Sequence, residues 1–347
     1  MSKKINVLSL FDGISCSQQA LKNLGIACNY YASEIEDYAM EITQKNFPKT
    51  FQLGNVAKLK VECEEWILEE KEFPPWSENS GKVWDSSIEK DVLWSTTTLQ
   101  NETTLWSVPK FDLVVGGSPC QGFSNSGYGK GFEDERSKLF WHYVRILKEV
   151  KRINPDVKFL LENVKMKEEC RNIITKELGV EPVEINSVYY TGQNRVRLYW
   201  TNLDIPPQRQ TKKTFKEVML PLEEVADKEV RDITDYNPKQ CRNYIQFDKS
   251  GKGYKSIQDR IYSGDNRFCT LSKATGRTKY KVLVENNEGR VLYRHLDLRE
   301  AEALQGLPHG YTHLGSEASV KFSIGKSLGS IGNGMTVQVM EDFFSSL

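Results

Sequence analysis

Short apolar runs alternate with stretches of helical spacing through the first half of the chain, and this alternation constrains the fold more than any other feature. INVLSLF at 5–11 stops at Asp12, QQALKNLGI follows with helical spacing, and CNYYASEIED opens a second extended run that ends on acids. FDLVVGG at 111–117, VKFLLEN at 157–163 and VEINSVYY at 183–190 are further predicted strands, with KLFWHYVRILKEVKRI and EECRNIITKEL as predicted helices. Strand and helix in turn predict an α/β fold whose mostly parallel sheet is covered by helices on both faces. Ligands of such sheets lie beyond the carboxyl ends of the strands. Asp12, Gly13, Glu34, Pro119, Cys120, Glu162 and Asn163 all fall at those ends.

A chain of 347 residues with 39% hydrophobic content can bury a substantial core, and its length predicts two domains. The apolar run near the start is too brief for a signal segment, and no stretch reaches the roughly 18 apolar residues that span a membrane. A soluble, cytoplasmic protein is expected. The seven cysteines, at 16, 28, 63, 120, 170, 241 and 269, contain no C-x-x-C pair, so neither a metal site nor a disulfide framework is expected. The formal net charge is zero but segregated: Lys239 to Lys281 holds eleven Lys and Arg against three Asp, and Lys60 to Val108 holds four Lys against eleven acids. The first region suits phosphates and the second repels them, unless each is merely a solvated face.

Gly13 after the first strand lets a ligand approach the backbone, and Glu34, at the end of the second, can take both ribose hydroxyls of a nucleoside. The G-x-G-x-x-G fingerprint is missing, so a nucleoside without a pyrophosphate, such as S-adenosylmethionine, fits better than NAD. An ordinary strand-helix turn with a surface Glu remains the plain alternative. In GGSPCQGFS, at 116–124, Cys120 is held by a proline on a glycine-rich turn whose free amides can favour a thiolate; most lone cysteines are simply buried. Glu162 of ENV, at the end of the next strand, sets a carboxyl beside it. QNRVRLYW at 193–200 places Gln193, Arg195 and Arg197 on one side of an extended segment, since strand side chains repeat every two residues.

Together LSLFDGISC, SEIED, GNV at 54–56, GGSPCQGFS, ENV, QNRVRLYW, LREAEALQGLPHGY at 298–311 and IGNGMTVQV at 331–339 resemble the ordered motifs of the DNA cytosine-C5 methyltransferases. The likeness covers nearly the whole chain. LSLFDGIS with GGSPC is similar to the de novo branch, and the compact length to bacterial or phage members. The resemblance implies a Rossmann-like S-adenosylmethionine-dependent methyltransferase fold. Residues 1–203 and 292–347 would be the catalytic domain, 204–291 a smaller target-recognition domain, and 60–108 an acidic, Trp-rich insertion, either packed on the sheet or docking a protein partner.

The activity implied is methyl transfer to carbon 5 of a cytosine flipped out of double-stranded DNA. Cys120 would attack carbon 6, Glu162 would bond N3 and the exocyclic amine, and Arg195 with Arg197 would sit over O2. Phe11, Asp12, Gly13, Ile14, Glu34, Ile35, Asn55, Val56, Pro119, Asn333 and Met335 would hold S-adenosylmethionine. Gln193, Arg267, Thr270, Lys273, Arg277 and Lys279 would meet DNA, and residues 121–138 would form a lid. The family usually has Asp at Asn55 and a glycine pair at Ser15 and Cys16. An RNA cytosine methyltransferase and a silent nucleic-acid-binding paralogue are the competing readings.

Overall fold

The structure is a computed structural model that describes residues 4–62, 65–68, 104–107, 109–119, 138–236, 238–248, 259–273, 280–287 and 290–347. Seven strands form its main sheet: β1 (Ile5–Leu10), β2 (Cys28–Ser33), β3 (Phe51–Gln52), β7 (Leu113–Gly116), β8 (Lys158–Val164), β9 (Val183–Asn186) and β10 (Val196–Thr201). Their order is β3-β2-β1-β7-β8-β10-β9. The chain steps outward from β1 to β3 and then crosses back to lay β7 on the other side of β1. That reversal opens a crevice at the carboxyl ends of β1 and β7, the place where open α/β sheets bind ligands.

The period of two along each strand sorts the core into two layers. Val7, Leu113, Val115 and Leu160 belong to one cluster, with residues of α1 (Cys16–Asn23), α2 (Asp37–Asn46) and α7 (Val337–Phe344). Leu8, Leu10, Val114, Phe159 and Leu161 belong to the other, with residues of α3 (Leu139–Ile153) and α4 (Glu168–Leu178). Glu168 and Glu169 in the first turn of α4 and Lys176 in its last match the helix dipole.

One edge completes the mostly parallel sheet with antiparallel pairs and departs from the sequence reading in one strand. The pairings of β8 with β10 and of β10 with β9 are antiparallel, while the other pairs of this sheet are parallel. The strand expected over 183–190 ends at Asn186. Its side-chain oxygen accepts from Val188 N at 3.1 Å and Arg195 N at 2.9 Å, and this closes a 3₁₀ turn over Ser187–Tyr189 instead of extending the strand.

A second sheet contains β11 (Arg231–Asp232), β12 (Lys239–Gln240), β13 (Ile245–Gln246), β14 (Arg260–Tyr262), β15 (Lys281–Asn287) and β16 (Arg290–His295), in the order β11-β16-β15-β14-β13-β12. It has its own core of Ile233, Ile245, Phe247, Ile261, Val291 and Tyr293. Within the acidic span, β4 (Leu59–Glu62), β5 (Glu65–Leu68) and β6 (Thr104–Ser107) form an antiparallel meander. Among the described residues no helix is long and apolar enough to cross a membrane.

A buried ion pair ties the second sheet to α5 (Leu298–Gln305). Arg294 of β16 meets Glu300 in a two-pronged contact at 2.6 Å and 2.9 Å. Their side chains are 1% and 0% exposed, and the backbone of Leu220 bonds to both. Glu300→Ala would leave a guanidinium buried without its counter-charge. The expected loss is about 3–5 kcal/mol of unfolding free energy in a denaturant titration, and a loss below about 1 kcal/mol would show that the pair does not hold the second sheet to α5.

Candidate active site

β1 runs out at Leu10 into a turn of alternating handedness. Phe11, Gly13 and Ser15 have φ values of 57°, 63° and 56°. This region is free to glycine but strained for the other two residues, at about 1–3 kcal/mol each. Buried polar contacts hold the strain. Asp12 accepts from the Ser15 hydroxyl and from Tyr30 OH at 2.8 Å, Thr43 Oγ1 donates to Ser15 Oγ at 3.1 Å, and Tyr311 OH donates to Ile14 O at 2.7 Å. A Cβ on Gly13 would meet nothing within 4 Å, so the turn faces open space.

Glu34 follows β2 and receives Gly13 N at 2.8 Å, Ile35 N at 2.7 Å and Glu36 N at 3.0 Å. Ile35 beside it is 63% exposed, an apolar surface standing at the rim. Ser33 Oγ donates to Gly54 O at 2.7 Å and brings the next loop alongside. There the Asn55 side-chain oxygen accepts from Ala57 N at 2.9 Å, and Val56 is buried below. Arg145 of α3 reaches the same loop, with Nη2 2.5 Å from Leu59 O. An acid, an apolar side chain and an amide thus stand on neighbouring loops at one end of the sheet, a combination that fits a nucleoside.

On the other side of the crevice, β7 ends at Gly116, and Ser118 is anchored to β8 through Asn163 Nδ2, 3.0 Å from its hydroxyl. Pro119 is half-buried, and Cys120 lies outside the described residues. A Cβ on Gly117 would lie 3.2 Å from Met335 Cε and 3.3 Å from Glu162 Oε2, so three segments distant in sequence converge here. Tyr199 pairs with Glu162 and Arg197 with Val164, which sets Arg197 diagonally across from the acid. Arg197 Nε is 2.8 Å from Glu162 Oε1, both side chains are largely buried, and among the described residues that oxygen makes no directed hydrogen bond to another group.

The other two donors of this segment turn to backbone. Gln193 is 0% exposed, and its amide group bonds Leu304 O, Gln305 Oε1 and Leu271 N. Arg195 is 2% exposed, and its guanidinium donates to Leu271 O, Gly332 O and Gly334 O. Neither the burial of these two nor the part of Gln305 was legible in QNR, because which carbonyls need a donor is decided by packing. Of the remaining DNA candidates, Thr270 donates to Asn194 O, Lys273 Nζ pairs with Glu36 at 3.0 Å, and Arg267 is half-buried without a hydrogen bond or ion pair among the described residues. Arg277 and Lys279 lie outside them. Asn333 is exposed, and Met335 is 9% exposed.

No described group of His, Cys, Asp and Glu could hold a metal ion. Burial pushes the Cys16 thiol up to about 12, which leaves it an inert packing group at neutral pH. Burial also raises Asp12 to about 6, against the opposing hydrogen bonds from Ser15, Ser9 and Tyr30. The folded-state value lies above the unfolded one, so ionised Asp12 weighs against the fold. The penalty is absent below pH 4, grows as pH rises to 6 and is constant above, at about 3 kcal/mol. Asp12→Asn is therefore expected to lessen the fall in unfolding free energy between pH 4 and 6. Parallel slopes for both proteins in urea titrations across that range would refute the assignment.

Residues 82–347 match the family model described as C-5 cytosine-specific DNA methylase. The orphan methyltransferase M.SPRI of Bacillus phage SPR is 32% identical over 210 residues, which are 56% of this chain and 37% of that protein. The chain therefore spans little more than a third of that relative's length. The type II methyltransferase M.Bsp6I of Bacillus sp. (strain RFL6) is 30% identical over 349 residues, covering 90% of this chain and 93% of that one. The solved Entamoeba histolytica methyltransferase EhMeth has the same fold, with a TM-score of 0.60 over 99% of this chain and 98% of its own at 14% identity. A family match over most of the chain, on a sheet whose crevice gathers Gly117, Glu162, Arg197 and Met335, makes this chain a member of the C-5 cytosine-specific DNA methylase family.

Proposed function

We propose that this protein transfers a methyl group from S-adenosylmethionine to carbon 5 of a cytosine flipped out of duplex DNA. The observation that carries this reading is the buried Glu162–Arg197 pair, set against Gly117 just before the Pro119–Cys120 step. The cofactor supplies an electrophilic methyl group. Glu34 is suited to the ribose hydroxyls, Ile35 to the adenine face, and the Asn55–Val56 loop to its edge. The turn from Phe11 to Ile14, with Pro119, Asn333 and Met335, would enclose the methionine part.

Cys120 adds as thiolate to carbon 6 of the ring, so that carbon 5 gains nucleophilic character. One oxygen of Glu162 shares a proton with N3 while the other accepts from the exocyclic amine, and Arg197 orients that carboxyl and faces O2. Carbon 5 would then take the methyl group as its bond to the sulfonium sulfur breaks and S-adenosylhomocysteine leaves, and loss of the carbon 5 proton expels the Cys120 thiolate and restores the aromatic ring. Extruding the base costs a few kcal/mol, which contacts to the opened duplex offset. The second sheet supports the DNA half of this reading. It lies in the most basic region of the chain and carries Arg267 without a protein partner among the described residues.

Bisulfite sequencing of DNA from cells that express the protein is the direct test, with converted cytosine everywhere as the outcome that would overturn the reading. Transfer of label from the cofactor to transfer RNA and not to duplex would move the substrate to RNA. Cys120→Ser is expected to abolish turnover while cofactor binding persists, because the hydroxyl is a far weaker nucleophile of similar size. Glu162→Gln should slow methylation by about 10²–10⁴-fold. Duplex containing 5-fluorocytosine should form a complex with the wild type that survives denaturant, since fluorine at carbon 5 blocks the final elimination.

A further inference from the structure

Gln193 and Arg195 bind backbone on both sides of the crevice. Leu271 belongs to the segment that leads from β14 into β15 of the second sheet, and Gly332 to Gly334 close α6 (Ile324–Asn333) and lead to Met335. The Gln193 side chain takes Leu271 N at 3.2 Å and donates to Leu304 O at 2.8 Å. Arg195 Nη1 donates to Leu271 O at 3.2 Å and to Gly332 O at 3.1 Å, while Nη2 donates to Gly334 O at 2.8 Å. Both polar groups of the Leu271 backbone are therefore fixed by this pair of side chains.

The clamp has no slack. A Cβ on Gly332 would lie 2.7 Å from the carbonyl carbon of Ser272, so α6 and the second-sheet segment touch backbone to backbone. Gln305 Nε2 adds a bond to Gly334 O at 2.5 Å. Met335, one residue on, is the side chain packed at Gly117 beside Glu162. A displacement of Leu271 must therefore pull on Gly332 and Gly334 and shift Met335 against the reacting groups, or break charge-assisted bonds in a dry interior.

We propose that Gln193 and Arg195 are positioning residues that couple the seat of the second sheet on its DNA to the placement of Met335 and Glu162, and so set sequence selectivity. The proposal rests on the reading of the chain as a DNA methyltransferase with its recognition surface on the second sheet. Arg195 acts in it through backbone carbonyls, and Arg197 alone of the two arginines faces the base.

The test compares wild type, Gln193→Glu and Arg195→Lys by methylation profiling over a randomised duplex library. Gln193→Glu keeps the acceptor for Leu271 N and removes the donor to Leu304, and Arg195→Lys keeps the charge and removes the fork. Selectivity between the preferred site and its single-base variants is expected to fall about tenfold, within the usual range for coupled sites. A merely structural role would lower the rate on all sequences alike and leave selectivity intact, and that result overturns the proposal. Hydrogen exchange provides a second readout that needs no activity. In Gln193→Ala the amides of 270–273 and 331–336 should lose protection together, and loosening of 270–273 alone would also overturn the coupling. A wild type that methylates no duplex while its two segments still loosen together would sink the functional reading and leave the clamp standing.

Discussion

Gly116 is the position on which the site's geometry depends. It pairs with Leu10 across β1 and β7, and a Cβ there would lie 2.7 Å from the Leu10 carbonyl oxygen and 3.1 Å from the Tyr143 ring. Any side chain would force the two central strands, or the helix above them, apart. Their loops could not then leave the sheet from adjacent points, and the strand-order reversal would lose its crevice. Gly117 extends the same constraint one residue further, since its bare backbone lets Met335 and Glu162 close on one spot. Two consecutive residues without side chains thus bring together parts of the chain that lie far apart in sequence.

The first turn obeys a different constraint. Phe11 and Ser15 occupy left-handed backbone that neither residue favours, and local contacts alone would not keep them there. Their support comes from residues remote in sequence: Tyr30 on β2, Thr43 on α2, and Tyr311 after α5. The turn is therefore shaped only once the whole domain has folded, which preorganises it before any ligand arrives. Burial of Asp12 is part of the same bargain, because the carboxyl that anchors Ser15 and Tyr30 is also the group least content to be ionised there.

The sequence made the layers legible because apolar period reports burial directly. β1, β2, β7, β8 and the helices α1, α3 and α4 lie within or close to INVLSLF, CNYYASEIED, FDLVVGG, VKFLLEN and the intervening amphipathic stretches, with the strands a few residues shorter or shifted at their ends. The strand ends were legible for the same reason, and with them Glu34, Pro119 and Glu162. Hidden were features that depend on a distant partner. Nothing in VEINSVYY announces that Asn186 will cap two backbone amides, and nothing in QNR distinguishes Arg195, enclosed among carbonyls, from Arg197, aimed at a carboxyl two residues along the neighbouring strand. Side-chain types on a strand reveal which face they share, but not what waits opposite.

Asn55 shows how one side chain shapes a turn and leaves a second polar atom over. Its side-chain oxygen accepts from Ala57 N and shapes the 3₁₀ turn over Val56–Lys58, a task that an aspartate oxygen would perform as well. The second polar atom of the group is where the two residues differ. Aspartate would present another acceptor to the rim, and asparagine presents an NH₂ donor. The backbone bond thus decides which way the amide points, and the rim of the opening takes its polarity from what is left over. A position that looks conservative from the standpoint of the turn exchanges an acceptor for a donor in the group's second polar atom.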